Sequence, residues 1–157
     1  MSRLLMGSRC PGARALGIAM LSGWRFVINP EGFGSLAPRA GGRVLGVVWR
    51  LTARDLAAIN AYESVASGLY RRRQLPVRWM ACDATAVAGA KPRQSATSAL
   101  VYIASRQGEG IPRPGYITMV VEAARDWELP DNYIRTLTRW SRSRWRGVRA
   151  RDTGELG

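Results

Sequence analysis

The chain has 157 residues, a hydrophobic fraction of 46% and a formal net charge of +13, and it contains no histidine. The missing histidine excludes Ser-His-Asp and Cys-His nucleophile systems as well as His-ligated metal sites. Cys10 and Cys82 form no CxxC motif; they could pair, but two ordinary thiols in an intracellular protein are the simpler account. Any catalysis must therefore rest on carboxylates, tyrosines, hydroxyls or backbone groups.

The N-terminal third is rich in strand signals. Residues 2–6 are typical of a short helical remnant, and Ala15 to Leu21 and Trp24 to Asn29 predict two strands around a Leu-Ser-Gly turn. Residues 30–42 contain many glycines and prolines, so we interpret them as a connection. Gly42 to Arg50 then predicts a strand. No apolar run approaches the roughly 20 residues that a membrane-spanning helix requires, and we expect a cytoplasmic protein.

The next stretch predicts a helix that carries one carboxylate. Thr52 and Asp55 have the spacing of a capping box, which places the start of the helix there. Leu56, Ile59 and Glu63 follow at i, i+3 and i+7, so Glu63 would share the buried face, where burial raises a carboxyl pKa and makes a proton carrier. The alternative is a helix that ends before residue 63 and leaves Glu63 in solvent.

The second half continues this alternation of strands and helices. Tyr70 to Trp79 predicts an edge strand because Pro76 removes a ladder donor, Met80 to Ser98 predicts a loose connection, and Ala99 to Ala104 predicts an apolar strand. A helix starts at Tyr116, whose hydroxyl either is satisfied in the core or faces a pocket. The predicted fold class is α+β, a small mixed β-barrel with flanking helices.

A last helix, starting near Asp131, carries a basic stripe opposite an apolar stripe. The arginines recur at helical spacing: Arg135, Arg139, Arg142, Arg146 and Arg149. Phosphate or acidic-membrane contact would use such a stripe. We favour a solvated helix face opposite the apolar residues Tyr133, Leu137 and Trp140, because no nucleic-acid motif accompanies it.

Seven pieces of the sequence, in order, carry a resemblance to a known family. They are Arg9-Cys-Pro-Gly-Ala13, Gly23-Trp-Arg-Phe26, the stretch from Pro38 and Gly42 to Leu56, Tyr62-Glu-x-Val65, Gly68-x-Tyr70, Pro114-Gly-Tyr116 and Leu129-Pro-x-x-Tyr133. This series resembles the gamma-glutamylcyclotransferase-like family. The resemblance implies one such domain over residues 1–140, with an arginine-rich tail over residues 141–157 outside it.

The resemblance also implies a reaction. Family members cleave a γ-glutamyl amide by attack of the substrate's own α-amino group on its γ-carbonyl, which releases 5-oxoproline and a free amine without a cofactor. By this resemblance Glu63 corresponds to the proton-transferring glutamate and Tyr116 to a tyrosine that lines the substrate pocket. Tyr70 either shapes the site or is structural, and Met1 is placed with the substrate-binding residues. The expected partner is a small γ-glutamyl compound, bound by a monomer or homodimer, with no membrane or nucleic acid.

The sequence departs from the family at its beginning. Met1 to Met6 resemble the residues directly after the family's Tyr-Gly-x-Asn loop, so the family's first strand and that loop are absent from this sequence. Three explanations are open: a start codon assigned too late, a truncated product, or a variant that has lost catalysis. We expect the first, with upstream coding sequence that encodes the strand and loop, since the later motifs are in place. The alternative function is a non-catalytic family member that binds a small ligand or an acidic partner.

Overall fold

The computed structural model describes residues 2–80, 96–106 and 108–142. In chain order the elements are α1 (Arg3–Arg9), β1 (Arg14–Ile28), β2 (Gly34–Arg50), α2 (Ala53–Tyr62), β3 (Tyr70–Trp79), β4 (Ala96–Ala104), α3 (Tyr116–Asp126) and α4 (Asp131–Arg142). The predicted α+β class is confirmed. In the described part of the chain, no helix is long and apolar enough to cross a bilayer.

The four strands form one antiparallel sheet in the order β2-β1-β3-β4. Strands β1 and β2 make a long ribbon, which is bent where the register shifts between Ser22 and Trp24. The predicted Leu-Ser-Gly turn is therefore wrong: it is a bulge within one continuous strand. Most of the predicted connection at residues 30–42 is also strand, since β2 already begins at Gly34.

The described sheet is open rather than closed into the expected barrel, and its pairs are all antiparallel rather than mixed. Its two outer strands, β2 and β4, meet at one end, where the Ala104 N–H donates a hydrogen bond of 2.9 Å to Ser35 Oγ. Further along, Val44 and residues 46–49 of β2 and residues 97–102 of β4 line a cavity between them. The sheet thus curves toward closure, but a side chain bridges its edges in place of a ladder.

The predicted edge strand lies inside the sheet. Strand β3 pairs with β4 along its length, but only Arg78 and Trp79 pair with β1. Pro76 lies beyond that short contact, on a stretch of β3 that has no β1 partner. Pro76 is tolerated in β3 as it would be in an edge strand, because no β1 strand lies beside it to accept the backbone hydrogen bond that proline cannot donate.

Helices α3 and α4 cover one face of the sheet. Their buried side chains form a core with Ile28 and Leu45, and Leu137 of α4 is 1% exposed. Tyr133 and Trp140 pack against this core, as the apolar stripe predicted. Arg135 and Arg139 are exposed on α4, as the solvated face predicted, whereas Arg146 and Arg149 lie outside the described residues. This packing fixes the start of α3 next to the start of β2.

Candidate functional site

The start of α2 is fixed by the predicted capping box. The Asp55 N–H donates to Thr52 Oγ1 at 3.1 Å, and the Thr52 N–H donates to Asp55 Oδ2 at 3.0 Å. The Thr52 hydroxyl also donates to Asp55 Oδ2, at 2.7 Å, and the hydroxyl and N–H of Thr52 together lower the pKa of Asp55. The Asp55 carboxylate also accepts the Gly12 N–H at 3.3 Å. Asp55 therefore ties α2 to the segment after α1.

The end of α2 places Glu63. The helix ends at Tyr62, and a Schellman motif follows: the Val65 N–H donates to Asn60 O and the Ser64 N–H to Ala61 O, both at 3.1 Å. Ser64 has a φ of 51°, in the left-handed region that this motif requires. Glu63 is thus the C-cap, held in place by hydrogen bonds on both sides of it.

Although the helix stops before residue 63, the Glu63 side chain does not turn to solvent. It is half-buried and lines a cavity of about 340 Å³, within the usual size range of small-molecule sites. Desolvation raises the pKa of Glu63 above its usual range, and the charge of Arg9 partly opposes that rise. The alternative prediction, that α2 ends before residue 63, is therefore correct. The Glu63 carboxyl is nevertheless partly shielded from solvent, as the prediction of a buried carboxyl requires.

The two predicted site tyrosines hold the same residue, Gly34 at the start of β2. Tyr116 Oη accepts the Gly34 N–H at 2.9 Å, and the Tyr70 hydroxyl donates to Gly34 O at 3.2 Å. Asn29, which is 1% exposed, donates its Nδ2–H to Tyr70 Oη at 3.2 Å. Burial is the main cause that raises the pKa of both tyrosines, so both keep their hydroxyl protons.

The structure separates the predicted substrate-binding residues. Tyr116, the first residue of α3, lines the same cavity as Glu63, and Glu63 contributes to its raised pKa. Tyr70 is only 7% exposed and lies behind Gly34. It is not one of the described residues that line that cavity. Its position is that of a support for the site. Met1 lies outside the described residues.

A second cavity adjoins the first. It has a volume of about 530 Å³ and is lined mainly by apolar residues of β1, β2, β3 and β4. It shares five lining residues with the smaller cavity: Met6, Leu36, Glu63, Val101 and Tyr102. Tyr102 donates to Asn60 Oδ1 at 2.8 Å, which ties β4 to the last turn of α2. The Glu63 carboxyl therefore stands between a cavity with polar groups and a mostly apolar one.

Sequence reasoning missed Arg9, Gly34 and Asn29. Asn29 precedes a proline, a turn signal, and its Oδ1 does accept the Phe33 N–H at 2.8 Å in the turn before β2. That signal could have placed a tight hairpin here instead of a long connection. Arg9 was part of the family resemblance but had no assigned role, and nothing local to Gly34 indicates that two tyrosines hold it.

The sequence of this chain matches the model of a known protein family. The model of the AIG2-like family matches residues 43–137, which include Glu63, Tyr70 and Tyr116. The chain belongs to the AIG2-like family. The resemblance to gamma-glutamylcyclotransferase-like proteins is thereby confirmed at the level of family and fold. No curated protein sequence matches this AIG2-like chain.

Solved structures resemble the chain over almost its full length. A gamma-glutamyl cyclotransferase is 17% identical with a TM-score of 0.74, covering 99% of this chain and 87% of its own. An uncharacterized protein from Homo sapiens is 18% identical with a TM-score of 0.71, covering 97% and 85% respectively. YkqA from Bacillus subtilis is 19% identical with a TM-score of 0.66, covering 90% and 48%. At these identities the likeness establishes the fold of this AIG2-like protein, not its reaction.

Proposed function

We propose that this protein is a gamma-glutamylcyclotransferase: it cleaves a γ-glutamyl amine, amino acid or peptide and releases 5-oxoproline and the free amine. The observation that supports this most is Glu63, a half-buried carboxyl with a raised pKa that lines a cavity together with Tyr116. A substrate that supplies its own nucleophile needs no enzyme nucleophile and no histidine to activate one, which agrees with a chain that contains no histidine.

Glu63 carries the protons in this proposal. Its carboxylate takes a proton from the substrate's α-ammonium group, and the freed amine attacks the γ-carbonyl carbon. When the tetrahedral intermediate collapses, the bond to the leaving nitrogen breaks and Glu63 returns a proton to that nitrogen. The ring nitrogen then gives its remaining extra proton to the freed Glu63 carboxylate, which passes it to the released amine or to water. A carboxyl with a raised pKa suits both halves of this cycle, because it binds a proton more readily than an ordinary glutamate.

Tyr116 supplies a hydrogen-bond donor. Its oxygen already accepts the Gly34 N–H, and its own proton has no acceptor among the residues that the structure describes. That proton is available to an oxygen in the cavity. We assign it to the γ-carbonyl oxygen, where negative charge develops during attack and a fixed donor stabilises the transition state more than the ground state.

The test is 5-oxoproline release from a panel of γ-glutamyl compounds. The wild-type chain is compared with Glu63→Gln, which keeps the size of the side chain but cannot carry a proton, and with Glu122→Gln, an exposed position on α3. We expect kcat to fall about 10²- to 10⁴-fold in Glu63→Gln and to remain unchanged in the control. Circular dichroism checks that both variants are folded.

A form of the chain extended upstream in frame is assayed beside it. Ser2, Leu5 and Met6 line the cavity, and the family resemblance implies a Tyr-Gly-x-Asn loop near this part of the site. Activity in the extended form alone supports both the reaction and the upstream loop. Unchanged turnover in Glu63→Gln, or no release from folded protein in either form, contradicts the proposal and favours a family member that only binds its ligand.

A further inference from the structure

Arg9 brings the second charge into the candidate site. It is the last residue of α1, it is half-buried, and it lines the 340 Å³ cavity together with Glu63 and Tyr116. Among the described residues that line this cavity, Arg9 and Glu63 are the only two with charged side chains. The cavity therefore has one cationic and one acidic side chain.

A ring contact holds the Arg9 guanidinium in place, but no acidic group neutralises its charge among the described residues. Its central carbon lies 3.5 Å from the centroid of the Tyr62 ring, a cation–π contact that holds the plane of the group. The ion pairs found within the described residues involve Arg25 and Arg106, not Arg9. Arg9 is close enough to lower the pKa of Glu63 but does not pair with it, so its N–H donors remain available to a ligand.

We propose that Arg9 binds the α-carboxylate of the γ-glutamyl group and is the residue that selects substrates carrying that carboxylate. The inference rests on the proposed function. The reacting end of a γ-glutamyl compound is a zwitterion, with an α-carboxylate and an α-ammonium group on one carbon. A guanidinium matches the two oxygens of a carboxylate in a bidentate geometry, which leaves Glu63 for the ammonium.

This assignment has a chemical consequence within the same cavity. Glu63 must accept a proton from the ammonium and not be occupied by a permanent ion pair with Arg9. A substrate carboxylate on Arg9 neutralises the cation that opposes the proton affinity of Glu63. Binding of the correct substrate would thereby make Glu63 a better proton acceptor at the moment it is needed.

The test removes the guanidinium and the carboxylate separately. Wild type, Arg9→Gln, Arg9→Lys and the control Arg3→Gln are assayed with γ-L-glutamyl-p-nitroanilide and with 4-aminobutyryl-p-nitroanilide, in the form of the protein that proves active. The second compound lacks the α-carboxylate but still cyclises, to 2-pyrrolidinone. Arg3 is a matched control because it lies on α1 and stacks at 3.5 Å on Trp127, but does not line the cavity.

We expect Arg9→Gln to lower kcat/KM for the γ-glutamyl compound about 10- to 100-fold, mainly by raising KM. For the 4-aminobutyryl compound, the same substitution should change kcat/KM by less than about twofold. Arg9→Lys retains the charge and should recover part of the loss. Arg3→Gln should match wild type with both compounds. Equal losses with both compounds would mean that Arg9 acts through the fold or through Glu63, and would overturn the inference.

Failure of the proposed function gives a different result. If folded wild-type protein releases p-nitroaniline from neither compound, NMR titrations with L-glutamine and 4-aminobutanamide decide the role of Arg9. A preference for L-glutamine that Arg9→Gln abolishes, and Arg3→Gln keeps, supports a carboxylate site in a ligand-binding protein. Equal affinity of wild type for the two ligands overturns the inference.

Discussion

The substitution Gly34→Ala tests the arrangement around Tyr116 without touching Glu63. A Cβ at this position would lie 2.8 Å from Tyr116 Oη and 2.9 Å from Phe26 Cε2, closer than any stable contact of a methyl group. Forcing a methyl group into a packed site costs about 1 to 3 kcal/mol. The reduced entropy of the unfolded chain returns about 0.4 to 1 kcal/mol. We therefore expect a net loss in the free energy of unfolding that is centred on about 1.3 kcal/mol and is at most about 2.6 kcal/mol.

The same strand offers the control. Gly46 also lies in β2, and a Cβ there would meet no atom within 4 Å. Gly46→Ala should therefore leave stability unchanged or raise it by about 0.4 to 1 kcal/mol. The two variants are compared with wild type by urea denaturation followed through tryptophan fluorescence. Gly34→Ala that is no less stable than Gly46→Ala would refute the reasoning.

A double-mutant cycle identifies the atom responsible. Tyr116→Phe removes the oxygen that the new Cβ would meet, while the Phe26 contact stays. In that background Gly34→Ala should cost at least about 0.5 kcal/mol less than in wild type, because neighbouring substitutions that share a contact are not additive. Strict additivity would show that the methyl group is accommodated by moving Phe26, and that Tyr116 is not held against the start of β2.

Two further predictions concern Glu63 and the turn that places it. Burial raises the pKa of Glu63 above the usual 4.5, so kcat/KM should fall at low pH, where the carboxylate becomes protonated, with a midpoint above pH 4.5. Arg9→Gln should move that midpoint upward, because the charge of Arg9 lowers the pKa of Glu63. A pH–rate profile with a midpoint at or below 4.5 would contradict this prediction. Ser64→Gly should raise stability by about 0.5 to 1 kcal/mol in thermal or urea unfolding, since glycine adopts the φ of 51° without strain; a loss of stability would count against the left-handed conformation.

The helices could be predicted from sequence because their signals are local. The capping box of Thr52 and Asp55 and the helical spacing of apolar residues after Tyr116 each depend on neighbours within one or two turns. The β1–β2 ribbon could not be read in the same way. Its pairing extends through Trp24 and Pro38, and a proline is tolerated at residue 38 because β2 is an outer strand.

The candidate site was only partly predictable. The spacing from Leu56 and Ile59 predicts the side of α2 on which Glu63 lies, and Glu63 does line the cavity on that side even though the helix ends one residue earlier. Arg9 and Gly34 depend on contacts between distant parts of the chain, such as the hydrogen bond from Gly34 to Tyr116 across 82 residues. No periodicity or motif within one element encodes a contact of that kind.

The direction of the hydrogen bonds behind the cavity determines what Tyr116 can do. Asn29 donates to Tyr70, Tyr70 donates to the carbonyl of Gly34, and the N–H of Gly34 donates to Tyr116. Since the Tyr116 oxygen is an acceptor in this series, its own proton must point to a different partner, and the cavity is the space that its side chain lines. Each donor also polarises the group that it contacts, which strengthens bonds within such a network. A buried amide and a buried tyrosine, neither in contact with a ligand, can in this way orient a hydroxyl toward the oxygen of a substrate.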